Sequence, residues 1–136
     1  MSSQPPAQTA KSSTGLDENV AALLSYIFGW ISGLVFFLIE KDSRLVRFHA
    51  MQSLLFNVVA IVVAIVLWVA LFVIFLIVSQ ISGILATLLS VVSILLWLVF
   101  GVAILAGWVL CLIKAFQGQY FKLPVIGNFA EKFSAK

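Results

Sequence analysis

The polar residues that could take part in chemistry are grouped in one short stretch of a very apolar chain. Two arginines precede four polar residues at spacings i, i+3, i+4 and i+8; the set is Arg44, Arg47, His49, Gln52, Ser53 and Asn57. That spacing places the last four on one stripe of a helix. Unpaired amides are costly in hydrocarbon, so the stripe must face protein or water. It is either a polar vestibule for a partner, a lipid headgroup or a translocating polar segment, or a set of interhelical hydrogen bonds with arginines that reach the headgroups.

Familiar catalytic and metal-binding motifs are missing from the sequence. There is no His-Glu-x-x-His motif and no Gly-rich phosphate loop, and Cys111 is the single cysteine. No acidic residue lies inside an apolar span, where carboxylates mark ion pathways and membrane-embedded catalysis. We therefore expect no enzyme activity, no cofactor and no metal site. An enzyme that acts on lipid through His49, with the arginines as headgroup clamps, is the least favoured alternative.

Composition identifies the class of protein. Of 136 residues, 63% are hydrophobic and 10% are charged, and the mean hydropathy is +1.20. Soluble domains have roughly 45–50% apolar and about 25% charged residues. These values exclude a cytosolic enzyme and a disordered chain, and eight Lys and Arg residues make no basic patch for nucleic acid. The sequence indicates a small integral membrane protein.

The apolar runs predict an all-α bundle of three transmembrane helices. Helices are expected at about 17–39, 43–78 and 84–114, since about 20 apolar residues cross the hydrocarbon core. Charges end the first run, and the polar segment Ser79-Gln80-Ile81-Ser82-Gly83 separates the other two. The predicted organisation is a disordered tail (1–13), a transmembrane domain (14–117) and an interfacial or cytoplasmic tail (118–136).

The distribution of basic residues predicts an orientation. Three crossings would place the connector at 40–49 and the C-terminal tail on one side, with seven of the eight basic residues. Lys11 alone would lie on the other side. The positive-inside rule then predicts a plasma-membrane protein with its N-terminus outside and its C-terminus in the cytoplasm.

Small residues on the first predicted helix indicate a packing face. Ser25, Gly29 and Gly33 recur every four residues, and the two glycines match the small-residue motif that lets helix backbones approach closely in membranes. The packing is either within the chain or between copies.

Two stretches resemble a known family. The first runs through Gly15–Ala21, Leu38–Lys41 and Val46–Ser53, and the second through Lys114–Gly118, Tyr120 and Lys122–Gly127. Together they resemble a family of small prokaryotic membrane proteins of unknown function, which is classed with the Tic chloroplast import component family and the magnetosome MamF/MmsF-like proteins. The resemblance implies a multi-helix inner-membrane protein without established enzyme activity, and the Tic relatives belong to a protein-import channel.

Two functional hypotheses follow. The first is a non-enzymatic scaffold or assembly partner in the plasma membrane, which self-associates through small-residue faces. The alternative is a translocon-like or conductance element lined by His49, Gln52, Ser53 and Asn57. The expected partners are membrane lipids and a second copy or other membrane proteins, and no nucleic acid.

Overall fold

Residues 10–135 are described by a computed structural model, and five helices make up that part of the chain. They are α1 (Glu18–Ile27), α2 (Trp30–Ile39), α3 (Arg44–Ile81), α4 (Gly83–Phe116) and α5 (Ile126–Ser134). The all-α fold class is thus confirmed. The chain divides into two compact units: unit 1 contains residues 10–57 and 108–135, and unit 2 contains residues 58–107.

Helices α3 and α4 are long and apolar enough to cross a membrane. They contain 38 and 34 residues. At 1.5 Å per residue they are about 57 and 51 Å long, against a hydrocarbon core of about 30 Å. They correspond to the helices predicted at 43–78 and 84–114 but extend further. Of the polar segment predicted between those helices, only Ser82 lies outside both α3 and α4. Its Oγ accepts the Leu85 N–H (3.3 Å) and caps the beginning of α4.

The prediction of one continuous helix over 17–39 is wrong, because the helix is interrupted at Phe28 and Gly29. Gly29 has φ +65°, in the left-handed region that favours glycine. The helices α1 and α2 on either side have 10 residues each, so each is about 15 Å long, half of a hydrocarbon core. Three crossing helices are therefore not confirmed. The structure has two long apolar helices and a shorter apolar one, α2.

The two short helices form a hairpin. They pack against each other, and the Ser43 hydroxyl, just beyond the end of α2, donates a hydrogen bond to Glu18 at the start of α1 (2.8 Å). The two open ends of the hairpin therefore lie together. The prediction that the N-terminus lies outside the cell depended on one membrane crossing over 17–39. A hairpin of α1 and α2 does not provide that crossing, so the prediction loses its basis.

Unit 2 is an uncharged helical hairpin. Trp68 and Leu71 of α3 line the same cavity as Ser93 and Trp97 of α4, so the two helices run side by side in opposite directions. The hydroxyl groups on α4 are satisfied within the helix. For example, the Ser93 Oγ donates to the Leu89 carbonyl (2.8 Å).

In unit 1 the chain turns back after α4. Gly118, at φ +72°, ends the helix in a Schellman motif: the Gln119 N–H donates to the Lys114 carbonyl, and the Gly118 N–H donates to the Ala115 carbonyl (both 3.0 Å). The following residues return to α3 and lead into α5, whose Ala130 packs against Phe48 and Met51. The predicted interfacial tail thus contains a packed helix.

The tail predicted at 1–13 falls partly outside the described residues, since the structure covers only residues 10–13 of it. In the described part, residues 12 and 13 make specific hydrogen bonds, which the prediction of a disordered segment did not include. The Ser13 N–H donates to both carboxylate oxygens of Glu40 (2.9 and 3.0 Å). The Ser12 N–H donates to the Leu16 carbonyl (2.8 Å). The buried carboxylate holds this part of the segment against the connector after α2.

Candidate functional site

The polar stripe on α3 lies inside unit 1. His49, Gln52 and Ser53 are completely buried, on one face of the helix. The residues around them come from α1, from the end of α4 and from the segment that follows α4. The stripe therefore joins both ends of the chain.

His49 bridges α1 and the returning segment. Its Nε2 lies 2.7 Å from the Gln119 carbonyl oxygen, and its Nδ1 lies 2.8 Å from the Tyr26 hydroxyl. A carbonyl oxygen can only accept, so Nε2 carries the proton and Nδ1 of the neutral ring accepts the Tyr26 O–H. Both nitrogen atoms of the ring are therefore used within the chain, and neither faces a substrate or metal ion.

Gln52 holds the returning segment by both ends of its amide. Its Nε2 donates to the Phe121 carbonyl (2.9 Å) and to the Tyr26 hydroxyl (3.0 Å). Its Oε1 accepts the Leu123 N–H (3.1 Å). One side chain thus satisfies two backbone groups of a segment that has no helix or strand of its own at that point.

The deeper end of the stripe contacts the turn between α1 and α2. The Ser53 Oγ donates to the Gly29 carbonyl (3.1 Å), and the Asn57 Nδ2 donates to the Ser53 carbonyl (2.8 Å). These contacts leave no polar group of His49, Gln52 or Ser53 free to line a water-filled path.

The two arginines differ in what they contact. Arg47 caps the end of α2: its guanidinium donates to the carbonyls of Glu40 (2.7 Å) and Phe37 (3.2 Å) and stacks over the Phe37 ring. Arg44 is exposed and lines a groove of about 250 Å³ with Tyr120 and Lys122. No hydrogen bond or ion pair joins Arg44 to another described residue. Of the two, Arg44 is the one available to a lipid headgroup.

The small residues of the first predicted helix pack within the chain. A Cβ on Gly33 would lie 2.9 Å from the Ala50 carbonyl oxygen and 3.0 Å from the Leu54 nitrogen, both backbone atoms of α3. A Cβ on Gly29 would lie 3.2 Å from the Asn57 amide oxygen. Ser25 is buried and donates to the Ala22 carbonyl (2.6 Å). The close approach is between α2 and α3 of one molecule.

Sequence reasoning missed Glu40, which is fully buried at the end of α2. Its carboxylate accepts the backbone N–H groups of Ser13, Asp42 and Ser43 at 2.8–3.0 Å. Burial raises the pKa of the Glu40 carboxyl, but the N–H donors of Ser43 and Ser13 outweigh it, and the pKa lies below its usual value of 4.5. The sequence signal, Glu40-Lys41-Asp42, indicated the end of a helix but not a buried carboxylate.

We expect Glu40 to make the stability of unit 1 depend on pH. Because the pKa is lower in the folded protein, the stabilisation is complete above 4.5 and is lost as the pH falls through the folded value. The free energy of unfolding in detergent should therefore fall on acidification. Glu40→Gln should lower stability at neutral pH and flatten that acidic decline. Glu131→Gln, which removes an exposed, solvent-screened carboxylate paired with Lys122, should keep most of it. An unchanged acidic decline in Glu40→Gln would contradict this assignment.

Two aromatic residues outside the predicted site complete it. Tyr26 is fully buried between His49 and Gln52, and the Trp108 Nε1–H donates to the Tyr26 carbonyl (2.8 Å). Their separation along the chain, 82 positions, left no local pattern from which the contact could be predicted.

The described residues hold no group of three or more His, Cys, Asp or Glu side chains that could bind a metal ion. Cys111 is buried, and its Sγ lies 3.7 Å from the Gln52 Nε2.

Comparison with known proteins agrees with the resemblance noted from the sequence. Residues 14–130 match the magnetosome magnetite crystal formation protein family. A UPF0132 membrane protein of Methanocaldococcus jannaschii is 38% identical over 133 residues, which cover 91% of this chain and 94% of the relative. Another from that organism is 36% identical over 88% of this chain and 71% of its own length. One from Archaeoglobus fulgidus is 34% identical over 86% of this chain and 95% of its own. No solved structure matches the chain.

Proposed function

Because the chain belongs to the magnetosome magnetite crystal formation protein family, with relatives named as membrane proteins, we propose that it is a non-enzymatic membrane scaffold. In this role α3 and α4 anchor it in the bilayer, and it assembles with a second copy or with other membrane proteins. The proposal rests on the hydrogen bonds that the polar stripe makes within the chain. His49 and Gln52 form hydrogen bonds with the backbone of the same chain. Such contacts are expected in a unit whose role is to keep one conformation.

The path of the chain follows from the same contacts. The beginning of α3 and the end of α4 both belong to unit 1. All eight Lys and Arg residues lie in 10–57 or 108–136, and 58–107 carries no charge. Two crossings therefore put both termini on one side, which the positive-inside rule makes the cytoplasmic side of a prokaryotic plasma membrane. Ser82 then faces the opposite compartment. This path replaces the three-crossing orientation expected from the sequence.

The surface proposed for assembly is a groove on α4. It has a volume of about 390 Å³ and is lined by apolar side chains, Leu98, Val99, Val102, Ala103 and Ala106. The two alanines allow a partner helix to approach closely, which is how helices associate where lipid supplies no hydrophobic driving force. Gly29 and Gly33, for which the sequence left packing within the chain or between copies open, lie against α3 of the same molecule.

Crosslinking tests the scaffold role. A photoreactive residue at Val102, which is 66% exposed in the groove, should give protein adducts in native membranes. The matched control is Val66 of α3, which is 62% exposed and should give mainly lipid adducts. Copies with two different tags distinguish self-association from another partner. Lipid adducts alone at both positions would contradict the proposal.

A further inference from the structure

The backbone of the turn between α1 and α2 makes several hydrogen bonds within the protein. The Ser32 Oγ accepts the Phe28 N–H (3.1 Å) and donates to the Ser25 carbonyl (3.0 Å). The Gly29 N–H bonds back to the Tyr26 carbonyl (3.2 Å). The N–H donors of Phe28 and Gly29 thus bond within the protein.

Side chains from two further helices satisfy carbonyl groups at the same turn. Ser53 of α3 donates to the Gly29 carbonyl (3.1 Å), and Trp108 of α4 donates to the Tyr26 carbonyl (2.8 Å). Backbone polar groups must find partners within the protein where water is absent, and irregular backbone is tolerated at membrane depth only under that condition. These contacts pair the Phe28 and Gly29 donors and the Tyr26 and Gly29 carbonyls within the protein, which favours a non-aqueous surrounding for the turn.

The outer surface of the turn is apolar. Phe28 is 75% exposed, and Ile31 and Trp30 beside it are 54% and 46% exposed. The charged residues of the hairpin are all at its open end: Asp17 and Glu18 at the start of α1, and Glu40, Lys41 and Asp42 after α2. The hairpin thus has an apolar tip and a charged base, the polarity of a segment that enters a bilayer tip first.

We propose that the α1–α2 hairpin is re-entrant: it enters the hydrocarbon from the side of the termini, turns at Phe28 within one leaflet and returns. Its partner is the acyl chains of that leaflet. The length supports this depth, since helices of 10 residues reach about 15 Å, half of a core of about 30 Å. The inference takes from the proposed function only the path of the chain, and not the scaffold role.

Single cysteines in full-length protein with Cys111→Ala test the depth of the turn. Phe28→Cys carries an environment-sensitive fluorophore in vesicles whose lipids bear a nitroxide either near the headgroup or deep in the acyl chain. We expect blue-shifted emission and stronger quenching by the deep nitroxide. Impermeant thiol reagents should fail to label Phe28→Cys from either side. Ile31→Cys, on the same exposed surface, repeats the measurement if the first variant does not fold.

Two control positions separate this inference from the proposed chain path. Asp42→Cys at the hairpin base should be labelled from the side of the termini, and Ser82→Cys only from the opposite side. Labelling of both from one side would contradict the two-crossing path without touching the depth measured at Phe28. Labelling of Phe28→Cys by an impermeant reagent, stronger quenching near the headgroup, or a Phe28–Phe28 cysteine crosslink between copies would each overturn the re-entrant hairpin.

Discussion

Gln52→Ala is expected to lower the free energy of unfolding by about 3 kcal/mol, since a buried polar group left without its partner costs about 1–3 kcal/mol. The truncation removes the acceptor of the Leu123 N–H and the donor to the Phe121 carbonyl, both at a buried site. It also leaves a cavity beside Tyr26, which adds to the loss. Unfolding of the purified protein in mixed detergent micelles, followed by circular dichroism, measures the change.

The matched control for Gln52→Ala is the same substitution on an exposed residue of the same helix. Gln80 is exposed at the end of α3, so Gln80→Ala should change stability by less than about 0.5 kcal/mol. Equal stabilities of the two variants would show that the returning segment is held by something other than the Gln52 amide.

Gly33→Ala is expected to destabilise the protein by about 2 kcal/mol, although alanine is the better helix former by about 1 kcal/mol. The added methyl group would meet the Ala50 carbonyl oxygen at 2.9 Å and the Leu54 nitrogen at 3.0 Å. These are backbone atoms, so α2 and α3 must move apart, and overpacking of this kind costs about 1–3 kcal/mol. The same micelle titration measures the loss.

Gly101→Ala should have the opposite sign. Gly101 lies within α4 and has nothing within 4 Å of the position of an added Cβ. Only the helix propensity then changes, and stability should rise by about 0.5–1 kcal/mol. A loss of stability at Gly101 as large as that at Gly33 would mean that the effect comes from glycine replacement in general, and not from the α2–α3 contact.

The sequence was sufficient for the features that depend on local pattern. The long uncharged runs predicted α3 and α4, because about 20 apolar residues are enough to cross the hydrocarbon core. The spacing of His49, Gln52 and Ser53 placed them on one face, and all three are buried there. Periodicity carries this information because it is a property of one helix.

The break at Gly29 could not be predicted from the same information. Glycine is common within membrane helices, and the residues that lie against Gly29 in the structure, Ser53 and Asn57, follow it by more than 20 positions. The backbone partners of His49 and Gln52 could not be predicted either, because they lie around 70 positions away along the chain. Backbone acceptors look the same at every residue, so no residue type identifies them.

The construction of unit 1 from both ends of the chain has a consequence for biosynthesis. Domains generally form in order as the ribosome delivers them, with the N-terminal part first. Here residues 10–57 are translated long before residues 108–135, with which they form one compact unit. Until residues 119–123 are translated, the nascent polypeptide must carry the His49 imidazole and the Gln52 amide without their backbone partners.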